Sequence, residues 1–163
     1  QQQERSKKFL LDGFPRTRAQ LQSMTHFWPQ SLRISHAISL DVPRFVCREK
    51  MLGRRHCPTC NRGWNVTHVK DNKGFDLPPN LPIDGCAQQP DCPGETGWTI
   101  RPDDTPDICD QRLDQFYETT QPILDHFQSR NKLFEFTPYR SFQEVPKFQR
   151  ELAEWMETSR EQR

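Results

Sequence analysis

Short apolar runs alternate with amphipathic stretches along most of the chain. Three runs have the length and composition of buried strands, at 8–13, 36–42 and 132–136. Apolar residues at helical spacing, together with proline and glycine signals, predict helices over 17–27, 44–52, about 103–117, 122–127 and 145–156. We expect the last of these helices to pack on the sheet. Strands that alternate with helices in this way predict an α/β fold with a parallel sheet and helices on both faces.

The segment 54–100 breaks this alternation. It is rich in proline, glycine and asparagine, and it contains four of the six cysteines. Residues 64–69 alternate in polarity as one strand would. The pattern therefore predicts a discontinuous core domain, residues 1–53 and 101–163, interrupted by a small subdomain at 54–100.

Composition and charge limit the classes of partner. Only 33% of the residues are hydrophobic, and 23 basic side chains nearly balance 22 acidic ones, for a net charge of +1. Such a chain has no general attraction for nucleic acid or a membrane, and no apolar run approaches the ~20 residues that span a bilayer. Because the first residues lack a methionine and an apolar signal core, we expect a piece of a longer product, and the cysteine pattern described next favours an intracellular one.

The clustered cysteines have the spacing of a metal site. Cys57 and Cys60 form a Cys-x2-Cys knuckle, and Cys86 and Cys92 form a wider second pair. Four thiolates from two local pairs predict a structural zinc ion, with disulfides or unmetallated thiols as the alternatives. The spare candidates for a ligand are His56 and Asp91, and the isolated cysteines, Cys47 and Cys109, favour a reducing compartment.

The first predicted strand ends on the polar loop 12–16. Ligands bind beyond the carboxyl ends of strands in open α/β sheets, and the planar fork of Arg16 suits a phosphate. Asp12 at this edge is a candidate for Mg²⁺, with a turn or helix cap as the alternative.

Three further arginines lie near the two ends of the insertion: Arg54, Arg101 and Arg112. Converging guanidiniums would stabilise the charge on a phosphoryl group in transfer. Each arginine taken alone has a simpler interpretation, a surface ion pair with a neighbour such as Asp103 or Asp104.

In this order, the motifs resemble the adenylate kinase family up to about residue 137. They are residues 9–16 with Gln20, Asp41-Val42-Pro43, Gly53-Arg54-Arg55, the four clustered cysteines, Arg101-Pro102-Asp103-Asp104 with Arg112-Leu113, and Thr120-x-Pro122. The resemblance implies a doubly wound parallel sheet of the phosphate-loop nucleoside monophosphate kinase type, here incomplete, with residues 54–100 as a zinc-binding lid.

The same resemblance implies reversible phosphoryl transfer from Mg-ATP to AMP. It assigns the AMP phosphate to Arg16, the AMP adenine to Gln20, a close backbone approach to Gly13, and magnesium, through water, to Asp12. It assigns the transferring phosphates to Arg54, Arg101 and Arg112, and the orientation of these arginines to Asp103 and Asp104. Lys50 stands where the family usually has an arginine against the adenine of ATP.

The family's phosphate loop, Gly-x-x-x-x-Gly-Lys, does not occur in these 163 residues. The resemblance places the strand before that loop between the strands at 8–13 and 36–42. We therefore expect an upstream segment or a neighbouring chain to supply it, and we expect the chain alone to be inactive.

Two other functions compete with this one. The first is a non-catalytic adenylate kinase-like subunit that serves as a scaffold in a larger assembly. The second is a zinc-ribbon binder of nucleic acid, which the near-zero net charge disfavours. For the enzyme, the expected compartment is the cytoplasm or the mitochondrion.

Overall fold

The computed structural model describes residues 9–82, 92 and 94–161. In these ranges the chain forms short strands and longer helices, with 3-10 turns at Gln30–Leu32, Gly94–Gly97 and Ser141–Glu144. The elements are α1 (Arg18–Phe27), β1 (Ala37–Leu40), α2 (Arg44–Leu52), β2 (Arg54–Cys57), β3 (Arg62–Asn65), β4 (Val69–Lys70), β5 (Asp76–Leu77), α3 (Pro106–Gln128), β6 (Leu133–Phe136) and α4 (Val145–Glu161).

The sheet is parallel, as predicted. β1 pairs with β6 in a register that places Ala37 opposite Leu133 and Leu40 opposite Phe136. The ladder continues one step further, because the amide of Asp41 donates to the carbonyl of Phe136 at 2.9 Å. Within the described residues, no strand is hydrogen-bonded to the other edge of β1. The α/β class is confirmed, and both outer edges of this two-stranded sheet, on β1 and on β6, are unpaired in the described part of the chain.

The strand predicted at 8–13 is wrong for the residues that the structure describes. Residues 9–13 are irregular, and their apolar side chains lie in solvent: Phe9 is 68% exposed and Leu10 is 85% exposed. A strand exists only when a neighbour satisfies its backbone groups. In the described part of the chain, residues 9–13 pair with no other segment, so the apolar run alone does not form a strand.

Two other predicted elements change their extent. The helices expected at about 103–117 and 122–127 form one continuous helix, α3, with Pro122 inside it. Helical geometry continues past the proline because Ile123 and Phe127 are buried in the same cluster as Leu21 and Met24 of α1. The alternation at 64–69 belongs to two strands, β3 and β4, which lie in different hairpins.

The core consists of separate clusters. One joins α1 to α3, and a second joins α2 to α3 through Met51, Cys109 and Leu113. A third surrounds Val46 of α2, which is fully buried against residues of β4 and β5. None of the described helices is long and apolar enough to cross a membrane.

The closing helix, α4, packs on the sheet as predicted. Phe148 contacts the rings of Phe134 and Phe136 at centroid distances of 6.0 and 5.2 Å, and Trp155 contacts Phe134 at 5.6 Å. Edge-to-face contacts of this kind are favourable beyond the area they bury. This aromatic packing covers one face of β6.

A dense junction forms where α2 ends. The carbonyl of Gly53 accepts from the amide of Val66 at 2.9 Å, and Asn65 Nδ2 donates to the carbonyl of Lys50 at 2.7 Å. A Cβ atom on Gly53 would overlap Thr67 Oγ1 and would lie 2.7 Å from Asn65 Oδ1. Gly53 has an ordinary helical φ of −78°, so close packing, and not backbone conformation, requires glycine here.

We expect Gly53→Ala to lower the free energy of unfolding by about 1–3 kcal/mol, because the added methyl group must displace its neighbours in the junction. The matched control is Gly63→Ala on β3, where a Cβ atom would meet nothing within 4 Å. The control should change stability by less than about 0.5 kcal/mol. Urea unfolding followed by circular dichroism measures both, and equal losses would contradict the close packing at Gly53.

Candidate functional site

The loop before α1 is organised around Arg16. Its Nε donates to the carbonyl of Gly13 at 2.7 Å, and its amide donates to Gln20 Oε1 at 2.6 Å. Gly13 has a φ of 65°, and a Cβ atom there would lie 2.5 Å from Arg16 Nη2. The backbone conformation therefore favours glycine here, and the absence of a side chain lets the guanidinium lie over it. Arg16, Gly13 and Gln20 lie together, and Asp12 beside them is exposed.

A second cluster of charged residues joins the start of β2 to the turn before α3. Arg54 Nη1 lies 3.4 Å from Asp104 Oδ1, and Arg112 Nη1 lies 2.9 Å from Asp103 Oδ2. The carbonyl of Arg101 accepts from the amide of Asp104 at 3.0 Å. The predicted arginines and aspartates of this region are thus brought together in two ion pairs and one turn.

Asp104 differs from its neighbours in its burial. Its side chain is fully buried, whereas the side chain of Asp103 is 54% exposed. Among the described residues, Asp104 Oδ2 has no hydrogen-bond partner. A buried carboxylate with one free oxygen can hold the Arg54 guanidinium and still accept another hydrogen bond.

A set of ion pairs between α2 and α3 was not predicted from the sequence. Arg44 Nη1 lies 2.6 Å from Asp114 Oδ1, and Arg48 Nε donates to both carboxylate oxygens of Asp110 at 3.1 Å. These contacts raise the pKa values of Arg44 and Arg48, chiefly through the hydrogen bonds to Asp114 and Asp110 respectively. The available signal was two arginines and two aspartates, each pair spaced by four residues on its helix.

Lys50 of α2 is anchored to backbone carbonyl oxygens of the segment after β3. Its Nζ donates to the carbonyl oxygens of Thr67 at 2.7 Å and of Leu77 and Pro78 at 2.9 Å. Partial burial lowers the pKa of Lys50. An ammonium group has three donors, and here all three are matched to backbone acceptors.

Three of the four predicted metal ligands converge. The sulfur atoms of Cys57, Cys60 and Cys92 lie within 4.8 Å of one another, and those of Cys57 and Cys92 are 3.5 Å apart. Cys57 is the last residue of β2, Cys60 lies in the turn between β2 and β3, and Cys92 shortly precedes the 3-10 turn at Gly94–Gly97. The fourth predicted ligand, Cys86, and the spare ligand Asp91 lie outside the described residues.

The thiol cluster has the character of a metal site. Cys57 is fully buried, and three soft sulfur donors at this separation could hold a metal ion. His56 anchors the neighbouring backbone, exchanging amide and carbonyl hydrogen bonds with Thr99 at 2.9 and 2.8 Å. The rings of Trp64, on β3, and Trp98, next to Thr99, stack on each other with centroids 6.3 Å apart.

The predicted site residues thus fall into three groups. They are the loop with Arg16, the pairs of Arg54 and Arg112 with their aspartates, and the thiols. In the described part of the chain, no hydrogen bond or ion pair links Arg16 to the second group. The first two groups are therefore separate halves of any common site.

Comparison with known proteins gives one consistent match. The family model described as adenylate kinase matches residues 1–132. An adenylate kinase of Gloeobacter violaceus is 36% identical over 126 residues, which cover 77% of this chain and 53% of that protein. An adenylate kinase of Clostridium novyi is 34% identical over 140 residues, which cover 85% of this chain and 58% of that protein.

A relative with a different printed activity matches over a longer stretch. A GTP:AMP phosphotransferase of Plasmodium falciparum is 32% identical over 143 residues, which cover 87% of this chain and 59% of that protein. The chain therefore spans between half and three fifths of the length of these relatives. Because the family model covers most of its residues, the chain belongs to the adenylate kinase family.

Proposed function

We propose that this chain forms part of an enzyme that catalyses reversible phosphoryl transfer from Mg-ATP to AMP. The observation that carries the proposal is the group of Arg54, Arg101 and Arg112, with Asp104 and Asp103 paired to two of them, in a member of the adenylate kinase family. The γ-phosphoryl group of ATP passes to a phosphate oxygen of AMP, and the products are two molecules of ADP.

The arginines supply the charge that this reaction requires. A phosphoryl group in transfer spreads negative charge over three oxygens, so catalysis depends on positioned cations. Asp104 holds Arg54 from a buried position, and Asp103 holds Arg112 from an exposed one. Carboxylates behind guanidiniums restrict their rotamers, so fewer conformations must be given up when phosphate binds.

The loop with Arg16 supports a role at the other substrate. We propose that Arg16 binds the AMP phosphate, that Gln20 contacts its adenine, and that Gly13 allows close approach of the backbone. In the structure described above, Gly13 O and Gln20 Oε1 accept from Arg16. Asp12 is exposed and is proposed to reach magnesium through water, in keeping with the hydration that this ion retains.

The open edge of β1 supports a missing partner strand. Parallel sheets are normally covered on both faces and extended beyond two strands. Here Ile38 and Leu40 of β1 are exposed, and so are the apolar residues Phe9, Leu10 and Leu11. We propose that a strand carrying the phosphate loop, from further polypeptide or from a neighbouring chain, pairs with this edge.

We propose a core domain formed by residues 1–53 and 101–163, with residues 54–100 as the lid. Zinc is the proposed metal of the lid, with Cys57, Cys60, Cys86 and Cys92 as ligands, since four thiolates form closed tetrahedral sites. Bound there, zinc would supply structural cross-linking and no chemistry. Lys50, whose ammonium makes three hydrogen bonds to backbone carbonyls, stays the proposed contact to the adenine of ATP.

The enzyme is favoured over the non-catalytic scaffold by two observations. The relatives reported above are named as kinases or phosphotransferases. In addition, two of the arginines proposed for the reaction, Arg54 and Arg112, are paired with carboxylates in this chain. A scaffold has no need for such pairs at the base of a lid.

A coupled assay for ADP tests the activity. We expect no turnover of ATP and AMP by the isolated chain, and magnesium-dependent ADP formation once a segment with the missing strand and a Gly-x-x-x-x-Gly-Lys loop is fused to it or added. An Arg54→Ala variant of the complemented protein should lose at least about a hundredfold in kcat, the scale for removing one preorganised donor. Turnover by the isolated chain would contradict the need for the missing strand, and no turnover by the complemented protein would contradict the proposed phosphoryl transfer.

Asp104 and Asp103 offer a matched pair for the role of burial. We expect Asp104→Asn to reduce the free energy of unfolding by about 1–3 kcal/mol, since it places amide hydrogens without acceptors in a buried position and weakens the hold on Arg54. Arg54 is partly exposed, so screening keeps the loss within this range. Asp103→Asn should cost less than about 1 kcal/mol. Urea unfolding measures both, and similar losses would show that burial of Asp104 is unimportant.

A chelator-competition titration tests the metal. We expect one zinc ion per chain, and we expect Cys60→Ser to weaken binding roughly a hundredfold or more, because a structural zinc site shares about 10–16 kcal/mol among its ligands. The control is Cys47→Ser, because the Cys47 thiol lies outside the cluster and donates to the carbonyl of Val42. Absence of zinc binding, or equal affinities for Cys60→Ser and the wild type, would refute the zinc site.

A further inference from the structure

Two hairpins of different character lie within the segment predicted as the lid. We call β2 and β3 the outer hairpin (residues 54–65) and β4 and β5 the inner hairpin (residues 69–77). The outer hairpin bears two of the clustered thiols. The inner hairpin bears none of them, and its contacts are with the core.

The first contact of the inner hairpin is apolar. Val69, Phe75 and Leu77 are buried in one cluster with Val46 of α2, and Val42 packs against the same cluster. Val46 is fully buried. Moving the hairpin away from α2 would expose all of these side chains, at about 25 cal/mol for each Å² of apolar surface.

The second contact is the ammonium group of Lys50. From α2 it reaches the carbonyl oxygens of Thr67, Leu77 and Pro78, which lie on both sides of the inner hairpin. Hydrogen bonds from a charged donor are roughly twice as strong as neutral ones. Lys50 therefore holds both ends of the hairpin to one point of the helix.

The third contact comes from the loop after β6. The carbonyl of Tyr139 accepts from the amide of Asp76 at 2.9 Å, and the rings of Tyr139 and Phe75 lie 4.9 Å apart. Tyr139 also covers Gly74 at the tip of the hairpin, where a Cβ atom would lie 3.4 Å from Tyr139 Cδ1. The inner hairpin is thus bound at its base by α2 and near its tip by the core loop that follows the sheet.

The outer hairpin is attached to the core in another way. Its strands pair with each other, and His56 exchanges hydrogen bonds with Thr99, which belongs to the same segment. Its side-chain links to the core include the ion pair of Arg54 with Asp104, and Arg55 Nη1 and Asn65 Nδ2 donate to the carbonyl oxygens of Leu52 and Lys50 at the end of α2. It joins the rest of the protein at the junction of Gly53, Asn65 and Asn80.

We propose that the boundary between core and lid lies inside the segment 54–100, with the inner hairpin belonging to the core and with Lys50 and Tyr139 as the positioning residues that hold it there. The lid, proposed above as residues 54–100, is thereby narrowed to the outer hairpin and the residues that pair with it. This inference is independent of the proposed phosphoryl transfer, because it concerns which segments open together.

Arg54 lies just beyond the proposed boundary between core and lid. This residue is the first after Gly53, so it lies at the root of the outer hairpin, directly beyond the part that Lys50 fixes. Opening of the outer hairpin would change the position of Arg54 relative to Asp104. It would leave the wall formed by α2 and the inner hairpin unchanged.

Hydrogen exchange of individual amides tests the boundary on the chain itself. In wild type under increasing sub-denaturing urea, we expect the amides of Asp71 and Asp76 to open together with those of α2, and those of His56 and Thr99 to open at lower urea. If Asp71 and Asp76 instead opened with His56 and Thr99, the inner hairpin would belong to the lid and the inference would be overturned.

Variants of Lys50 and Tyr139 test their roles as positioning residues. Lys50→Met should speed exchange at Asp71 and Asp76 about tenfold or more, because three carbonyls lose their donor, and should leave His56 and Thr99 within about twofold. Lys50→Arg, which retains charged donors, should restore much of the protection. Tyr139→Ala should act in the same direction as Lys50→Met, whereas Tyr139→Phe, which keeps the ring, should resemble wild type.

Two results of the Lys50→Met experiment would contradict the proposed boundary. No change at Asp71 and Asp76 in Lys50→Met, or an equal change in both hairpins, would overturn the inference. If Lys50→Met does not fold, the wild-type urea series decides alone. The exchange data need no nucleotide and no turnover, so failure of the boundary is distinguishable from failure of the proposed activity.

Discussion

The pairing of α2 with α3 is the constraint on which the rest of the structure depends. Arg54 follows α2 directly, and Asp104 lies just before α3, so the distance between these two groups is set by how the helices pack. A small apolar cluster and a row of ion pairs hold the helices together. Each ion pair is partly exposed and weak in isolation. Arranged as a row one helical turn apart, they fix the register of α2 against α3, and that register is what the arginines require.

Local motifs were predictable because their geometry is local. The loop at Gly13 and Arg16, the thiol knuckle at Cys57 and Cys60, and the caps of the helices depend on residues a few positions apart. Thr105, for example, caps α3 by accepting from the amide of Ile108, as the sequence Thr-Pro before a helical pattern indicates. The α/β alternation and the packing of α4 followed from periodicity in the same way.

Elements that depend on distant partners were not predictable from their own residues. The apolar run at 9–11 has the composition of a strand, but a strand also needs a hydrogen-bonded neighbour, and none is present among the described residues. The hydrogen bonds of Lys50 to the inner hairpin were not predictable for a related reason. Its three acceptors lie 17 to 28 positions away in the chain, and a carbonyl oxygen leaves no trace in the residue type that bears it.

The low hydrophobic content explains why the molecule is organised around small clusters joined by polar contacts. With 33% hydrophobic residues, the chain forms no single continuous core in its described part, and each cluster covers only one interface. Two of these interfaces also have polar contacts: ion pairs between α2 and α3, and the Lys50 ammonium under the inner hairpin. The edge of β1 that faces away from β6 has no such cover, and Leu40 there is 58% exposed. A strand added at that edge would satisfy the free backbone groups and cover apolar surface at the same time, so it would stabilise the sheet as well as complete the site.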